Sequence, residues 1–244
     1  MITGGGSGLG RAYCEVMSEY GAEVACVGRT EEKLQETLEI IDKYGHRAIA
    51  IKADVSKQED IKNMVNETVK KLGSVDIVFA NACELPKDMV KIHEASVEDW
   101  DRIFAIQPRG VFLLMREVFP LMMKKKSGCF ISTASSLLLG PVGPGFIKYA
   151  TSYHTAKAGV IMLTKMAARQ YGEYGIRANV ICPGYHRTPI SRNERSIEEE
   201  VLKNSALKRI GLAEDIKGLA LWLASDASRH VTGQTFIQDG GQRA

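Results

Sequence analysis

TGGGSGLG, residues 3–10, is a glycine-rich loop at the start of the chain. The apolar pair Met1-Ile2 precedes it, and a helical pattern over Arg11–Tyr20 follows it. Its glycines let a backbone approach a phosphate closely, and the helix that follows begins with free N–H groups at the positive end of its dipole. The usual dinucleotide spacing, Gly-x-Gly-x-x-Gly, fits no register here, because the spacing is Gly-x-x-x-Gly-x-Gly. On its own, the loop is therefore open to two interpretations, a pyrophosphate-binding turn and a glycine-rich turn without a ligand.

Short apolar strands alternate with helical stretches along the rest of the chain, which predicts a parallel sheet covered by helices on both faces. Strands are predicted at Glu23–Val27, Ala48–Lys52, Asp76–Ala80, Gly128–Thr133, Ala178–Cys182 and Thr235–Gln238. Further helices are predicted at Glu31–Tyr44, Gln58–Leu72, Trp100–Met123, Tyr153–Tyr171 and Ala213–Ser225. No linker or repeat divides these elements. We therefore expect one α/β domain over residues 1–244, a Rossmann-type doubly wound parallel sheet that binds ligands at the carboxyl ends of its strands.

The first strand is expected to be truncated. Only Met1 and Ile2 precede the glycine loop, whereas a strand usually has about five or six residues. Two explanations are open: an N-terminal segment missing from the sequence, which we favour, or a short central strand that lowers stability and cofactor affinity.

Composition excludes several classes of function. Of the 244 residues, 45% are hydrophobic and 25% are charged, as in ordinary globular proteins. The net charge of +3 is small, so it predicts no nucleic-acid partner and no membrane surface. Five scattered cysteines show neither metal-ligand spacing nor a Cys-x-x-Cys pair, and no signal peptide or long apolar run is present. These features predict a cytoplasmic protein without a bound metal.

Tyr153 and Lys157 are the strongest candidates for catalysis. Residues four apart lie on one face of a helix, so the two side chains can share a site. A nearby ammonium favours the phenolate, and a coupling of about 4 kcal/mol would lower the tyrosine pKa by about three units, towards neutrality. A tyrosine of that kind both donates and accepts protons well. The alternative is that the pair belongs to a solvated helix face.

Taken in order, the motifs of the whole chain resemble those of the short-chain dehydrogenase/reductase family in its compact single-domain form. The matching motifs are Thr3 to Gly10, Asp54-Val55, Asn81-Ala82, Ser135, Tyr153-x-x-x-Lys157, Asn179, Pro183-Gly184-x-x-x-Thr188 and Asp239-Gly240-Gly241. The resemblance implies a hydride transfer between a nicotinamide and a carbonyl or alcohol carbon. It assigns proton transfer to Tyr153, support of the tyrosine and a ribose contact to Lys157, and a hydrogen bond to the substrate oxygen to Ser135.

The resemblance also implies a set of cofactor-binding residues: Gly4, Ser7, Gly8, Leu9, Gly10, Arg29, Asp54, Val55, Asn81, Tyr153, Lys157, Pro183, Gly184 and Thr188. Cofactor choice depends on the end of the second strand, where a carboxylate would bind the ribose 2′-hydroxyl of NAD. This chain has Gly28-Arg29-Thr30, and the guanidinium can hold a 2′-phosphate. We therefore expect NADP(H) to be preferred over NAD(H), although Arg29 could also be a solvated surface residue.

Two positions depart from the family pattern. Gln107, followed by Pro108, stands where the family usually has an asparagine thought to hold a relay water, so we include Gln107 among the catalytic candidates. Pro108 removes a backbone donor and is expected to kink the long helix. Cys83 replaces the glycine of Asn-Ala-Gly and places a side chain near the cofactor, which could weaken its binding.

The expected activity is that of an NADP(H)-dependent carbonyl reductase or alcohol dehydrogenase. An apolar ketone or secondary alcohol is suggested by Leu137, Leu138, Leu139, Val142 and Phe146, and by Tyr185 and His186, although these could instead pack a subunit interface. The stretch Ser191 to Lys203 resembles the family's substrate lid. A homodimer or homotetramer is implied by the family, through the two long helices. An enoyl reductase is the enzymatic competitor, and a non-catalytic dinucleotide-binding regulator or scaffold is the alternative.

Overall fold

The computed structural model describes residues 1–87, 89–136, 149–191 and 195–244. Its strands are β1 (Ile2–Thr3), β2 (Val24–Gly28), β3 (Ala48–Lys52), β4 (Ile77–Ala80), β5 (Gly128–Thr133), β6 (Ile176–Pro183), β7 (His186–Arg187), β8 (Gly211–Leu212) and β9 (Thr235–Gln238). Its α-helices are α1 (Gly8–Glu19), α2 (Glu31–Asp42), α3 (Gln58–Leu72), α4 (Val97–Ile106), α5 (Pro108–Lys125), α6 (Thr151–Tyr171), α7 (Arg195–Asn204) and α8 (Lys217–Ala224).

Within these ranges the main sheet has seven strands in the order β3-β2-β1-β4-β5-β6-β9. All neighbouring pairs are parallel. The chain moves outward from β1 to β3, then crosses to β4 and continues outward to β9. This reversal makes the carboxyl ends of β1 and β4 the switch point at which doubly wound sheets bind their ligands. The predicted Rossmann-type fold is confirmed.

Both faces of the sheet are buried, which explains why its strands are continuous apolar runs rather than alternating ones. Val78 and Phe130 face the layer that contains α3, α5 and α6. Their immediate neighbours, Phe79 and Ile131, face the layer of α1, α2 and α8. On that second face the ring of Tyr13 stacks on Phe79 with centroids 4.6 Å apart, directly behind the glycine loop.

The central strand β1 is as short as the sequence predicted. Ile2 and Thr3 pair with Cys26 and Val27 of β2, and Ile2 also pairs with Phe79 of β4. The Gly5 amide donates to the Val27 carbonyl at 3.0 Å, so the glycine loop itself continues the contact with β2.

The predicted helix Trp100–Met123 is two helices. α4 begins at Val97, where the Ser96 hydroxyl accepts a hydrogen bond from the Asp99 amide at 3.2 Å. The break falls at Gln107, with φ −87° and ψ −86°, immediately before Pro108. The expected kink is therefore confirmed, and its cause is that proline cannot supply the backbone donor that would continue α4.

Two further differences concern the last third of the chain. The polar stretch expected to be a lid contains α7, whose apolar side chains Ile197 and Val201 are buried. The predicted helix Ala213–Ser225 begins as the 3₁₀ turn Ala213–Ile216 and becomes α-helical at Lys217. None of the described helices combines the length and apolar character that a bilayer span requires.

Candidate active site

A cavity of about 410 Å³ opens at the carboxyl ends of the central strands. Every residue of the predicted cofactor-binding set lines it, as do all the catalytic candidates except Gln107. These residues come from the first loop, the ends of β2 to β6 and the start of α6. They are brought together because parallel strands place all their carboxyl ends at one edge of the sheet.

The glycine loop is shaped to present backbone to a ligand. Gly4 and Gly8 have φ values of +69° and +54°, a region in which side-chain-bearing residues are strained. A Cβ on Gly10 would lie 2.0 Å from the Gly4 carbonyl oxygen, so only glycine permits this close approach. Ser7 precedes α1 and makes no capping hydrogen bond with its side chain. The first N–H groups of α1 are therefore available to an anion.

Neighbouring side chains hold the loop in place from behind. The Thr37 hydroxyl donates to the Gly5 carbonyl at 3.1 Å, and the Arg11 guanidinium donates to the Gly6 carbonyl at 2.8 Å. The Thr3 hydroxyl accepts hydrogen bonds from the amides of Asn81 and Ala82 at 3.0 and 3.1 Å. The carboxyl ends of β1 and β4 are thereby locked to one another on either side of the cavity.

Ser135, Tyr153 and Lys157 converge in the same cavity. Ser135 follows β5 and is 4% exposed, while Tyr153 and Lys157 lie in the first turns of α6. The Ser135 side chain is hydrogen-bonded to the Tyr153 phenol. The Lys157 ammonium, whose residue is 2% exposed, donates to the Thr133 carbonyl at 2.7 Å and lies 5.7 Å from the centroid of the Tyr153 ring.

The predicted lowering of the Tyr153 pKa is wrong. Burial raises the pKa of this phenol far above its ordinary value, Cys83 acts in the same direction, and the hydrogen bond with Ser135 only partly opposes them. Desolvation penalises the phenolate, and the Lys157 ammonium is engaged with the Thr133 carbonyl rather than with the phenol. Tyr153 is therefore held in its protonated form, as a proton donor.

The two departures from the family pattern have different positions. Gln107 is 1% exposed and does not line the cavity, since its side-chain amide donates to the Glu84 carbonyl at 2.9 Å. Its side-chain oxygen is buried and has no hydrogen-bond partner among the described residues. Cys83 does line the cavity, and its thiol is hydrogen-bonded to Lys157. Burial raises the pKa of this thiol, which keeps it neutral.

The side of the cavity at the end of β2 carries charged groups. Arg29 forms an ion pair with Glu84, a residue that sequence reasoning did not single out. Partial burial would raise the pKa of Asp54, but hydrogen bonds from the Ser56 amide and hydroxyl, at 2.9 and 2.7 Å, together with nearby Arg29, lower it. Asp54 is therefore an ionised carboxylate turned towards its own loop.

Comparison with known proteins agrees with this geometry. A family model described as Enoyl-(Acyl carrier protein) reductase matches residues 4–243. The chain is 33% identical to a 3-oxoacyl-(acyl-carrier-protein) reductase, FabG, of Staphylococcus epidermidis, over 99% of this chain and 97% of that protein. It superposes on a short-chain type dehydrogenase/reductase from Mycobacterium marinum with a TM-score of 0.92 and 30% identity, covering 100% of this chain and 94% of that one.

The chain belongs to the short-chain dehydrogenase/reductase family. It is an oxidoreductase of the kind that acts on CH–OH and C=O groups with NAD(P). Another solved structure of similar fold is the NADPH-dependent 3-quinuclidinone reductase of Rhodotorula rubra. It has a TM-score of 0.88 and 28% identity, and the match covers 99% of this chain and 90% of that one.

The residues present fit the dinucleotide that the family implies. Gly4, Gly8 and Gly10 line the cavity, and the backbone at Gly10 packs so closely on Gly4 that no Cβ fits between them, so the loop presents backbone rather than side chains to a pyrophosphate. The adjacent N-terminus of α1 supplies donors for its charge. Farther along the cavity, Lys157 offers ammonium donors beyond the one that it gives to Thr133.

Sequence reasoning missed several lining residues. Lys33 lies in the first turn of α2, and its backbone and Cβ come within contact of Gly6. The sequence signal that could have identified Lys33 is its position three residues after Thr30. That position lies in the first turn of α2, which must face the glycine loop. No sequence pattern identifies Thr133 or Glu84. Thr133 acts through its backbone carbonyl, and Glu84 acts through an ion pair with Arg29, which is distant in sequence.

Part of the predicted substrate region lies outside the described residues, namely Leu137, Leu138, Leu139, Val142 and Phe146, as does Arg192 of the expected lid. Tyr185 and His186 line the cavity as predicted. Val201 of α7 reaches it too, while Glu198 on that helix forms a two-pronged ion pair with Arg187, at 2.9 and 2.7 Å.

Proposed function

We propose that the whole chain, residues 1–244, is one domain that acts as an NADP(H)-dependent carbonyl reductase or alcohol dehydrogenase on an apolar ketone or secondary alcohol. The observation that carries this proposal is the convergence of a protonated Tyr153, hydrogen-bonded to Ser135, with a buried Lys157 in the cavity that begins at the glycine loop. This arrangement combines a proton donor, an oxygen-binding hydroxyl and a backbone loop for a dinucleotide in one cavity.

Each side chain has a distinct role in this proposal. When bound, the reduced cofactor supplies a hydride to the carbonyl carbon. Ser135 donates a hydrogen bond to the carbonyl oxygen and fixes it beside Tyr153. Tyr153 then transfers its phenolic proton to that oxygen, which is the direction favoured by its raised pKa. Lys157 binds the ribose near the nicotinamide, and its charge, 5.7 Å from the centroid of the Tyr153 ring, attracts the phenolate that the transfer leaves behind without a direct hydrogen bond to it.

Cofactor preference is proposed from the end of β2. Arg29 and Lys33 bring two cations to the adenosine side of the cavity, where a 2′-phosphate would lie. A similar protein, the quinuclidinone reductase of Rhodotorula rubra, is named as NADPH-dependent. Both observations support NADP(H) over NAD(H).

Apolar side chains form part of the cavity lining. They include Leu85, Met89, Ile106, Ile190 and Val201. A compact ketone without charge suits this lining, and the quinuclidinone reductase is named for a cyclic ketone. The matching family model is described as an enoyl reductase. The three residues between Tyr153 and Lys157 instead favour reduction of a carbonyl, because the enoyl reductases of this family space the pair more widely.

We also propose that the protein forms a homodimer through α5 and α6, or a tetramer of such pairs. Phe112 on α5 and Met162 and Met166 on α6 are large apolar side chains that are 47%, 59% and 47% exposed. Exposed apolar residues on two adjacent helices are typical of a surface that a second subunit covers. The compartment that we propose, from the scattered free cysteines, is the cytoplasm.

The function is tested by titrating NADPH and NADH into the purified protein and by screening ketones for loss of reduced-nicotinamide absorbance. We expect NADPH-preferring turnover that falls by at least about 100-fold in Tyr153→Phe while cofactor affinity is kept. Tyr174→Phe, which removes a hydroxyl after the far end of α6, is the matched control and should retain activity. Tight NADPH binding with no turnover on any ketone would instead identify the non-catalytic regulator, and absence of binding would overturn the cofactor assignment.

A further inference from the structure

Glu84 lines the cavity and is held between two arginines. One carboxylate oxygen is paired with Arg29, from the end of β2, and the other with Arg102, from α4. Arg102 is itself fixed by the Leu85 carbonyl at 3.1 Å and by the Asp99 carboxylate. Glu84 thus links the loop after β4 to the end of β2.

The pairing engages the group that the proposed function assigns to the 2′-phosphate. A guanidinium binds phosphate best through two parallel N–H donors, and Glu84 occupies one nitrogen of Arg29. A phosphate that approaches Arg29 must displace this carboxylate or lie beside it, and two anions repel each other at that distance. A ribose 2′-hydroxyl meets no such opposition, because it can donate a hydrogen bond to the carboxylate.

We infer that Glu84 is a specificity-determining residue that limits the preference for NADP(H) over NAD(H) by competing with the 2′-phosphate for Arg29. The inference rests on the proposed function only in taking Arg29 as the 2′-phosphate ligand. Arg102 is the positioning residue in this arrangement, since it binds the second carboxylate oxygen of Glu84 and so holds the first beside Arg29.

The size of the effect follows from the exposure of the pair. The side chains of Arg29 and Glu84 are 59% and 22% exposed, so water and salt screen their attraction. An ion pair of this kind shifts an equilibrium by up to about fivefold. Removing the carboxylate charge should therefore strengthen 2′-phosphate binding by about fivefold at low salt.

The test uses two fragments that differ only in the 2′-phosphate. Adenosine 2′,5′-bisphosphate and adenosine 5′-monophosphate are titrated calorimetrically into the full protein and into Glu84→Gln, which keeps the shape and removes the charge. Glu67→Gln is the matched control, because Glu67 forms an exposed ion pair with Lys71 on α3, away from the cavity. Arg29→Gln and the double variant Arg29→Gln/Glu84→Gln complete a double-mutant cycle.

We expect Glu84→Gln to bind the bisphosphate about fivefold more tightly and the monophosphate equally or more weakly, and the gain to shrink in 0.5 M salt. The gain should disappear in the Arg29→Gln background, which a merely structural role of Glu84 would not explain. Equal affinities in the wild type and Glu84→Gln, or a gain that persists without Arg29, would overturn the inference and leave the proposed reductase activity intact. Failure of the wild type to bind either fragment or NADPH would overturn both.

Discussion

Gly10→Ala tests whether the backbone cradle at the start of the chain binds the cofactor. The alanine Cβ would lie 2.0 Å from the Gly4 carbonyl oxygen, 2.7 Å from the Gly4 carbonyl carbon and 2.8 Å from the Asn81 side-chain nitrogen. Ordinary contact begins at 3.4 Å, so the loop must open by about 1.4 Å. Neither partner can yield easily, because the Asn81 amide donates to the Thr3 carbonyl at 3.2 Å and the Gly5 amide to the Val27 carbonyl at 3.0 Å.

Two effects follow from this displacement. The overpacked loop should lower the free energy of unfolding by about 1–3 kcal/mol. Movement of the N–H groups at the start of α1 should remove at least one charge-assisted hydrogen bond to the pyrophosphate, worth about 1.5–3 kcal/mol. Together with the loss of alignment, this predicts a Kd for NADPH that is at least about tenfold higher.

The assay is a fluorescence titration with NADPH, combined with thermal unfolding of the same preparations. Gly218→Ala is the control, since no atom lies within 4 Å of the added Cβ at that exposed position in α8, and it should leave binding unchanged. Gly6→Ala should be intermediate, because its Cβ would meet the Lys33 Cβ at 3.0 Å and the Lys33 carbonyl carbon at 3.3 Å, a smaller overlap than the 2.0 Å approach at Gly10. An NADPH affinity of Gly10→Ala within about threefold of the wild type would refute the proposal that this loop binds the cofactor. Such a difference is smaller than the free energy of one lost hydrogen bond.

Three other predictions concern the site and the core. Cys83→Gly removes a side chain from the cavity wall and should tighten NADPH binding by roughly fivefold, because relieved packing contributes about 1 kcal/mol. Weaker NADPH binding by this variant in a titration would contradict the prediction. Because burial raises the pKa of Tyr153, the rate of ketone reduction should be constant between about pH 6 and 9. The rate of alcohol oxidation, which needs the phenolate, should rise about tenfold per pH unit. An oxidation rate that levels off below about pH 8 would show that Lys157 lowers the Tyr153 pKa after all. Asn179→Ala should lower the free energy of unfolding, measured in urea, by about 2–5 kcal/mol. The side-chain amide of Asn179 is fully buried, donates to the Val231 carbonyl at 2.9 Å and accepts from the Gln234 amide at 3.0 Å. A loss below about 1 kcal/mol would be inconsistent with both hydrogen bonds.

Most of the fold was predictable because its signals are local. Continuous apolar runs such as Gly128–Thr133 must be buried on both faces, and β5 has these bounds in the structure. The helix before it was predicted as one element because its apolar pattern continues through the break at Gln107. The helix α7 was missed since a charged sequence with only Ile197 and Val201 buried resembles a solvated loop.

The site was predictable to the extent that its residues occupy strand ends. Ser135, Tyr153, Lys157 and the glycine loop, all singled out from the sequence, line one cavity in the structure. Properties that depend on three-dimensional neighbours could not be predicted in this way. From the spacing of Tyr153 and Lys157 we predicted a lowered Tyr153 pKa, whereas burial raises this pKa.

The order of strands and helices, the backbone cradle and the identity of the groups at the switch point can be inferred from the amino-acid sequence. These depend on apolar periodicity, on glycines that no other residue can replace, and on the rule that parallel strands end at one edge. How those groups are charged and paired depends instead on which distant segments meet in three dimensions. Contacts between distant segments bury Tyr153, bring the Lys157 ammonium to the Thr133 carbonyl and pair Glu84 with Arg29. Electrostatic energies vary steeply with distance and burial, which the order of residues along a chain does not specify.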